Sequence, residues 1–360
     1  MKIAVDAMGG DFAPQEIVMG AVGAARQKLA EIVLVGDEKQ IRLCLDKEKD
    51  WQSLPITIRH ASEVIGMDEH PADAVRQKKD SSVVVATRLV KDGECDAVLS
   101  AGSTGAAVTA AQLILKRIKG VSRPAIATPM PSPNGVTLLL DSGANVDSKP
   151  EHLRESAIMG AIYAEHVLGK KNPKVGLLNI GEEETKGNEQ VKETYALLRN
   201  ETAINFVGNA EGRDIPKGNF DVVVCDGFVG NVVLKFAEGL ALTFLELTKE
   251  AIMSGGTFAK VGALLLKPTL KKLGKRLDVD EYGGAPLLGV NGCCIISHGS
   301  SNARSIENAI RAAGNYVHRD VLSAIAGTIG REKTDGKGGD TTNDEKDKRG
   351  NTGDGSLRSS

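Results

Sequence analysis

The chain has 360 residues, of which 41% are hydrophobic and 26% are charged, a composition typical of a globular protein with ample material for a core. Its 45 Lys and Arg residues nearly balance its 47 Asp and Glu residues. The molecule as a whole therefore has no net field that would attract nucleic acid. Aromatic residues make up 3% of the chain, which also disfavours base-stacking surfaces. We expect no nucleic-acid partner.

The cysteines and the N-terminus indicate the cellular compartment. The 5 cysteines lie mostly in apolar runs without CxxC spacing, so reduced thiols of a cytosolic protein are expected rather than a metal or redox site. The chain begins directly with the strand-like residues 2–6 and has no signal-peptide pattern. No apolar run approaches the ~20 residues that a transmembrane helix needs. A cytoplasmic location is predicted.

Short β-branched segments alternate with helical patterns along almost the whole chain, which predicts a doubly wound α/β fold with a mostly parallel sheet and a cleft. The predicted strands are 2–6, 32–36, 55–59, 95–100, 125–128, 136–141, 174–179, 203–207, 220–225 and 293–297. The clearest helix follows Ser148, which can cap it, while Pro150 fits the first turn and Glu151 completes a capping box. Its predicted apolar face is Leu153, Ala157, Ile158, Ala161 and Ile162.

Two segments near the C-terminus differ from the rest. Residues 330–360 contain Leu357 as their one large aliphatic side chain, so they are predicted to be a disordered tail after a catalytic domain of residues 1–329. Residues 252–276 are apolar and basic, and they contain no acidic residue. Two interpretations stay open for this segment: a core helix followed by a solvated basic helix, or an exposed amphipathic arm that meets a partner or a membrane surface.

The loops after the predicted strands are where chemistry is expected, because open α/β sheets bind ligands beyond the carboxyl ends of their strands. The loop 100–105 is glycine-rich and opens a helix, so Gly102, Ser103 and Thr104 are candidates for holding phosphate through N–H groups and hydroxyls. A simple tight turn explains the same pattern. The chain lacks both the GxGxxG pattern after a strand and the P-loop pattern, so no nucleotide fingerprint is available.

Three further side chains each have a chemical and a structural interpretation. Lys186 is suited to neutralising charge on a substrate oxygen, or it is an ordinary surface lysine. Asn231 is a donor to a carbonyl oxygen, or it caps the helix that begins there. His298 is an acid, a base or a phosphate ligand, or a buried histidine bonded to backbone.

Metal and covalent chemistry have little support in the sequence. The acidic residues at strand ends could bind Mg²⁺ only if they converged, and each also stands where a strand end or a helix cap favours an acid. They are Asp6, Asp11, Asp141, Asp147 and Asp226. No Gly-x-Ser-x-Gly elbow is present and no cysteine lies in a glycine-rich mouth, so direct transfer is favoured over a covalent acyl-enzyme.

Seven segments, in this order and spacing, resemble the phosphate acyltransferases of bacterial phospholipid synthesis. They are 6–11 (DAMGGD), 100–105 (SAGSTG), 143–147 (GANVD), 186–189 (KGNE), 226–231 (DGFVGN), 282–285 (YGGA) and 298–301 (HGSS). The resemblance covers residues 1–328. It implies a fold similar to that of isocitrate and isopropylmalate dehydrogenases and of phosphotransacetylase, working as a homodimer.

The resemblance also implies the reaction. A long-chain fatty acyl group would pass reversibly from acyl carrier protein to inorganic phosphate without a cofactor, and the acyl phosphate would go to a membrane glycerol-3-phosphate acyltransferase. By position, Lys186 and Asn231 match residues essential to activity in this family. The expected phosphate and substrate contacts are Gly102, Ser103, Thr104, Asn145, Asp226, His298, Ser300 and Ser301.

Two surfaces are predicted to meet larger partners. Acidic carrier protein would dock on Arg76, Lys78 and Lys79 or on the segment 260–276, because it needs basic residues opposite it. The segment 252–276 resembles a membrane-touching arm near the dimer interface, which predicts weak and reversible membrane contact.

Three other functions stay open on the sequence. A phosphotransacetylase that uses coenzyme A shares the phosphate and thioester chemistry. A metal-dependent decarboxylating dehydrogenase shares the fold, although no convergent set of arginines and aspartates stands out. A sensor of phosphate or acyl phosphate would bind without turnover.

Overall fold

The computed structural model describes residues 1–277 and 279–335. Its strands are β1 (Lys2–Asp6), β2 (Glu31–Gly36), β3 (Ile56–His60), β4 (Ala97–Ser100), β5 (Ala125–Ile126), β6 (Thr128–Ser132), β7 (Gly135–Leu140), β8 (Lys174–Asn179), β9 (Asn205–Glu211), β10 (Val222–Val224), β11 (Ala285–Leu288) and β12 (Cys293–Ile296). They form one sheet in the order β3-β2-β1-β4-β12-β11-β5 and a second in the order β6-β7-β10-β8-β9.

Helices pack on both sides of the sheets, which confirms the predicted α/β class. They are α1 (Gln15–Arg26), α2 (Glu38–Leu45), α3 (Pro71–Gln77), α4 (Ser82–Lys91), α5 (Thr104–Ala110), α6 (Pro150–His166), α7 (Glu189–Arg199), α8 (Gly227–Ser254), α9 (Thr257–Leu277), α10 (Ala303–His318) and α11 (Val321–Asp335). A π-helical turn (Ala111–Leu115) extends α5, and 3₁₀ turns lie at Trp51–Ser53, Gly212–Asp214 and Val279–Tyr282.

The strand order places the loops. In the first sheet, β4 pairs in parallel with both β1 and β12. In the second sheet, β10 pairs in parallel with both β7 and β8. Parallel neighbours end on the same edge of a sheet, so the loops after β1, β4 and β12 form one group and those after β7, β10 and β8 form another.

Buried apolar residues cover both faces of the first sheet. Alternate residues of β1 point to opposite faces, so Ile3 and Val5 pack with α1 and α10 while Ala4 packs with α4. All three side chains are fully buried. Strands that are covered on both faces need continuous apolar runs, which explains why these short β-branched segments could be recognised in the sequence.

All ten predicted strands overlap a strand of the structure, with two differences. The segment 125–128 contains β5 and the start of β6, since the chain passes from the first sheet to the second at Ala127. The strand β11 was not predicted. It contains Pro286, which argues against a strand inside a sheet, yet β11 pairs antiparallel with both of its neighbours.

The helix predicted after Ser148 is α6, and the interpretation of its apolar face is confirmed because Leu153, Ala157 and Ile158 are buried. The predicted cap is wrong. Proline disfavours helical backbone in the residue before it, so the extended Lys149 becomes the N-cap. Its N–H donates to His152 Nδ1 at 3.1 Å, a role that the sequence interpretation gave to Ser148 and Glu151.

Helices α8 and α9 form a segment that we call the arm (residues 227–277), and most of its described side chains are exposed. Phe258 is 95% exposed and Leu265 is 77% exposed, so the described side chains of 257–271 do not form a core helix. The helix α8 is long and apolar enough, by length and composition alone, to cross a membrane. The sequence expectation concerned uninterrupted apolar runs, and charged residues interrupt this helix at Lys235, Glu238, Glu246, Lys249 and Glu250.

The predicted tail falls mostly beyond the described chain. Helix α11 continues to Asp335, past the predicted boundary at Gly330. Residues 336–360 lie outside the described residues.

All 5 cysteines are free and buried. Burial raises the pKa of Cys95 to about 11 and that of Cys294 to about 12, and it raises the pKa of the Cys225 and Cys293 thiols well above the ordinary value. The thiolate is the reactive form. We therefore expect native protein at pH 8 to react slowly with an aromatic disulfide reagent, and unfolded protein to release 5 equivalents at once. A fast equivalent from native protein would contradict this burial.

Candidate active site

The loops after β1, β4 and β12 pack together into what we call the first loop cluster (6–11, 100–105 and 298–302). A Cβ added to Gly9 would lie 2.8 Å from the backbone nitrogen of Gly102, so this approach requires glycine. The Asp11 N–H donates to the Gly299 carbonyl at 2.8 Å. Three of the loops singled out in the sequence are thus in direct contact.

Asp6 anchors this cluster from inside. The Ser100 hydroxyl donates to its carboxylate at 2.7 Å and in turn accepts from the Gly102 N–H at 3.2 Å. Burial raises the pKa of the Asp6 carboxyl, and hydrogen bonds from Ser82 and Ser100 oppose that rise. Its interpretation as a strand-end residue fits this geometry.

The predicted phosphate residues of loop 100–105 lie at the start of α5. Gly102 is buried, Ser103 is partly buried and Thr104 is exposed. Ser103 Oγ accepts from the Ala106 N–H at 3.4 Å and so caps the helix. Its hydroxyl proton stays available for another acceptor.

His298 is exposed, contrary to the interpretation as a buried histidine. Its Nδ1 lies 2.7 Å from Ser300 Oγ and 3.2 Å from the Ser300 backbone nitrogen. Ser301 Oγ is buried, and no partner for it is found within residues 1–277 and 279–335. The loop after β12 is therefore rich in hydrogen-bonding groups.

The loops after β7, β10 and β8 form the second loop cluster (141–147, 226–231 and 179–189). Buried Asp141 holds the first of these loops, accepting from the backbone N–H groups of Ile126, Gly143, Ala144 and Asn145 and from Asn145 Nδ2 at 2.8–3.1 Å. Burial raises the pKa of the Asp141 carboxyl and these hydrogen bonds oppose the rise. Because every partner is a donor, the carboxylate is the form that the loop accommodates.

Asn145 was predicted to contact substrate, and the structure places it inside this network. Its Nδ2 donates to Asp141 and, at 2.7 Å, to the Pro124 carbonyl. Both amide protons are therefore committed to the protein, and Asn145 shapes the loop through them.

Replacing Asp141 with Asn should destabilise the protein by about 3 kcal/mol, because an amide nitrogen would face donors that have lost a buried acceptor. Urea unfolding of the two proteins measures the difference. The matched control is Asp147→Asn, an exposed residue of the same loop, which should change stability by less than about 0.5 kcal/mol. Equal losses in both variants would contradict the anchoring role.

Helix α8 begins in the second loop cluster. Asp226, predicted to contact substrate, is its N-cap, and its Oδ1 accepts from the Val229 N–H at 2.9 Å. A Cβ on Gly230 would lie 1.9 Å from the Asp141 carbonyl oxygen, so only glycine lets the helix come this close. Asn231 follows and lies beside Gly143. Since Asp226 is the cap, the interpretation of Asn231 as the cap is wrong.

Lys186 is exposed in the loop after β8. The loop is held by its backbone: the Lys186 N–H donates to the Glu183 carbonyl at 3.1 Å, and its own carbonyl accepts from Asn179 Nδ2 at 3.1 Å. Gly187 has φ +94°, which favours glycine there. Among the described residues, no contact joins the Lys186 ammonium to Asn231 or His298. Lys186 lies at the same edge of the second sheet as Asn231, but the two side chains are not in contact.

Lys235 joins the two clusters, and the sequence interpretation missed it. Its Nζ lies 2.8 Å from His298 Nε2 and 2.9 Å from Glu238 Oε2. Residues four apart share a helix face, so Lys235 lies one turn beyond Asn231 on the same side of α8. The four-residue spacing from Asn231 was the one sequence feature that could have indicated Lys235 as a site residue. Loops from both sheets thus meet at the first three turns of α8.

The acidic residues do not converge. Asp6 and Asp141 anchor different loops and Asp226 caps a helix. In the described part of the chain, no group of three or more His, Cys, Asp or Glu side chains is arranged to hold a metal ion.

Comparison with known proteins decides the family. A family model described as fatty acid synthesis protein matches residues 1–324. The phosphate acyltransferase of Desulfitobacterium hafniense (strain DSM 10664 / DCB-2) is 58% identical over 326 residues, covering 90% of this chain and 96% of that protein. The phosphate acyltransferase of Pelotomaculum thermopropionicum is 55% identical over 339 residues, covering 94% and 98%. The chain belongs to the phosphate acyltransferase family.

Membership makes this protein a transferase that moves acyl groups to or from phosphate in fatty acid and phospholipid synthesis. A phosphotransacetylase from Streptococcus pyogenes has a similar fold, with a TM-score of 0.61 at 20% identity over 88% of this chain and 94% of that one. A branched-chain phosphotransacylase from Enterococcus faecalis V583 gives a TM-score of 0.54 at 16% identity over 88% and 99%. These likenesses show the fold alone.

Proposed function

We propose that this protein moves a long-chain acyl group reversibly from acyl carrier protein to inorganic phosphate, supplying acyl phosphate for glycerophospholipid synthesis. The observation that carries the proposal is the meeting of both loop clusters at Asn231 and Lys235 of α8. There, Asn231 lies beside Gly143 of the second loop cluster, and Lys235, one turn further along the helix, contacts His298 of the first. Such a place suits an anion beside a polarised carbonyl.

The chemistry needs positioning more than acid–base catalysis. A phosphate oxygen attacks the thioester carbonyl carbon, the C–O bond forms, and the C–S bond breaks as the thiolate leaves. The proton of hydrogen phosphate ends on the sulfur, so the products are acyl phosphate and the free carrier thiol. A preorganised site contributes by orienting the reactants and stabilising the oxyanion.

Each proposed role uses a group at the site. Gly102, Ser103 and Thr104 of one loop and His298, Ser300 and Ser301 of the other hold phosphate. Lys186 balances its charge near the carbonyl, and Asn231 donates to the developing oxyanion. Asn145 and Asp226 act by holding the second loop cluster and the start of α8. The buried cysteines offer no nucleophile at this surface, which favours direct attack by phosphate.

Product identity tests the proposal. Phosphorus NMR of the protein with palmitoyl acyl carrier protein and phosphate should show a new acyl phosphate resonance that grows as the phosphate resonance falls. Heat-inactivated protein is the control. Loss of thioester without the new resonance would indicate hydrolysis and would reject phosphate as the acceptor.

An acidic carrier protein needs basic residues opposite it, and three of the predicted ones lie in α3 and just after it. Among the basic residues predicted there, Lys78 is held by Glu69 at 2.6 Å. Arg76 and Lys79 are exposed, so we assign the docking face to them. Oppositely charged patches steer association and set register.

The arm gives the proposed product a route to the membrane. On α9, Phe258 and Leu265 are among the most exposed apolar side chains, and Lys260, Lys267 and Lys271 alternate with such residues. An exposed face that is apolar and basic suits the surface of an anionic bilayer. The exposed apolar residues of α8 are the surface that we assign to the second copy of a homodimer. A membrane glycerol-3-phosphate acyltransferase would then receive the acyl phosphate.

Membrane contact is expected to depend on α9. The protein should sediment with vesicles that contain anionic lipid, less so at high salt, and Leu265→Glu should weaken this binding about tenfold because it places a charge in the apolar contact. The matched control is Leu43→Glu, which changes a leucine that is 68% exposed outside the arm. Equal binding by the two variants, or none by the original protein, would contradict the assignment.

A further inference from the structure

A chain of four side chains links α8 to the first loop cluster. Glu238 Oε2 lies 2.9 Å from Lys235 Nζ, Lys235 Nζ lies 2.8 Å from His298 Nε2, and His298 Nδ1 lies 2.7 Å from Ser300 Oγ. The contact between Lys235 and His298 spans 63 residues of sequence. It ties the helix that carries Asn231 to the loop proposed to hold phosphate.

The hydrogen-bond roles in this chain follow from its donors and acceptors. Lysine ammonium has donors and no acceptor, and the Glu238 carboxylate accepts only. Lys235 therefore donates to both neighbours, and His298 Nε2 must be the unprotonated ring nitrogen. A neutral ring then has its proton on Nδ1, where it donates to Ser300 Oγ. A proton on Nε2, in either the other tautomer or the imidazolium, would face the ammonium.

The tautomer decides what Ser300 can offer. With a proton on Nδ1, the Ser300 hydroxyl accepts from the ring, so its own proton must go to another acceptor. The Ser300 N–H points at Nδ1 from 3.2 Å, so this tautomer gives up that hydrogen bond, and the hydroxyl proton is the one that Ser300 can offer to another acceptor. In the other tautomer, Nδ1 would accept from both the Ser300 hydroxyl and its N–H, and neither group could donate to phosphate. The neighbouring buried Ser301 Oγ has no partner within the described chain.

We propose that Lys235 is a positioning residue that fixes the tautomer of His298 and thereby makes the Ser300 hydroxyl a donor for phosphate. This inference rests on the proposed function, because it assumes that the loop after β12 holds the phosphate acceptor. Lys235 acts through His298 and needs no contact with the reacting atoms. The same contact holds α8 against this loop, so Asn231 and the phosphate donors keep fixed positions relative to each other.

The tautomer can be read without any turnover. Long-range ¹H–¹⁵N correlation spectra of full-length protein labelled at histidine, with His298 assigned from its loss in His298→Gln, distinguish protonated from unprotonated ring nitrogens. The original protein and Lys235→Arg, whose guanidinium also only donates, should have the proton on Nδ1. Lys235→Met should move it to Nε2. An unchanged Nδ1 proton in Lys235→Met would overturn the proposal.

Kinetics then test the consequence for phosphate. Lys235→Met should raise the KM for phosphate roughly tenfold by removing the hydrogen bond from the Ser300 hydroxyl to a charged group, with a much smaller rise in Lys235→Arg. Lys249→Met, about 21 Å further along the same exposed helix, is the matched control and should leave the KM unchanged. A KM for phosphate in Lys235→Met equal to that of the control would overturn the proposal even if the tautomer changed.

A direct charge effect of Lys235 on phosphate is separated by a double-mutant cycle. If Lys235 acts through the ring and Ser300, the changes Lys235→Met and Ser300→Ala share one effect, so their combined rise in KM should be less than the product of the single rises. Fully multiplicative rises would assign Lys235 a direct charge role and reject the positioning role. Failure of the proposed function would look different: the original protein would show no phosphate-dependent turnover, while the tautomer spectra would still decide the link between Lys235 and His298.

Discussion

Replacing Lys186 with Ala should lower kcat roughly 100- to 1,000-fold, because a preorganised charge near the reacting carbonyl stabilises the transition state more than the ground state. Thiol release from acyl carrier protein at saturating phosphate measures this rate. The fold should be unaffected, since Lys186 is exposed and its loop is held through backbone atoms. Lys186→Arg keeps the charge in a different shape and should recover part of the rate.

The control for Lys186 is Lys192→Ala, which removes another exposed lysine from the first turns of the following helix. It should leave kcat within about twofold, as surface changes away from a site usually do. Nearly full turnover of a folded Lys186→Ala protein would remove Lys186 from the mechanism. An equal loss in both variants would indicate a general charge effect on carrier-protein binding.

Replacing Asn231 with Asp should lower kcat about 100-fold or more, because a carboxylate of the same shape puts an acceptor where the developing oxyanion needs a donor. Stability should hardly change, since Asp226 and not Asn231 caps α8. Rates and urea unfolding curves are measured on the same preparations.

Asp226→Ala provides the complementary result. Loss of an N-cap costs about 1 kcal/mol of stability, so this variant should show its main effect in unfolding. If Asn231→Asp lost stability as Asp226→Ala does and kept its turnover, Asn231 would be a structural residue rather than a donor to substrate.

The α/β class and most strands were predictable because strands buried on both faces need continuous β-branched runs, which stand out in the sequence. The loops that matter were also predictable, since they follow those runs. The missed strand β11 shows the limit of this approach: a proline weakens the local signal, while pairing with strands on both sides stabilises the extended backbone.

The site was less predictable, because side-chain partners come from distant parts of the chain. Asp226 and Asn145 have residue types that suit substrate binding, and only their contacts assign them to a helix cap and a loop anchor. Lys235 lies in an apolar helix without a motif, and its role depends on His298. Local patterns contain no signal for such a contact beyond its spacing from Asn231.

The most direct test of the proposed reaction is release of free thiol from palmitoyl acyl carrier protein, with and without inorganic phosphate, with palmitoyl coenzyme A in parallel. The enzyme's own buried thiols should add little background. We predict rapid release that requires phosphate and the carrier protein. Release with coenzyme A alone would contradict the proposed donor and indicate a phosphotransacetylase, and no release with either donor would indicate a binding protein.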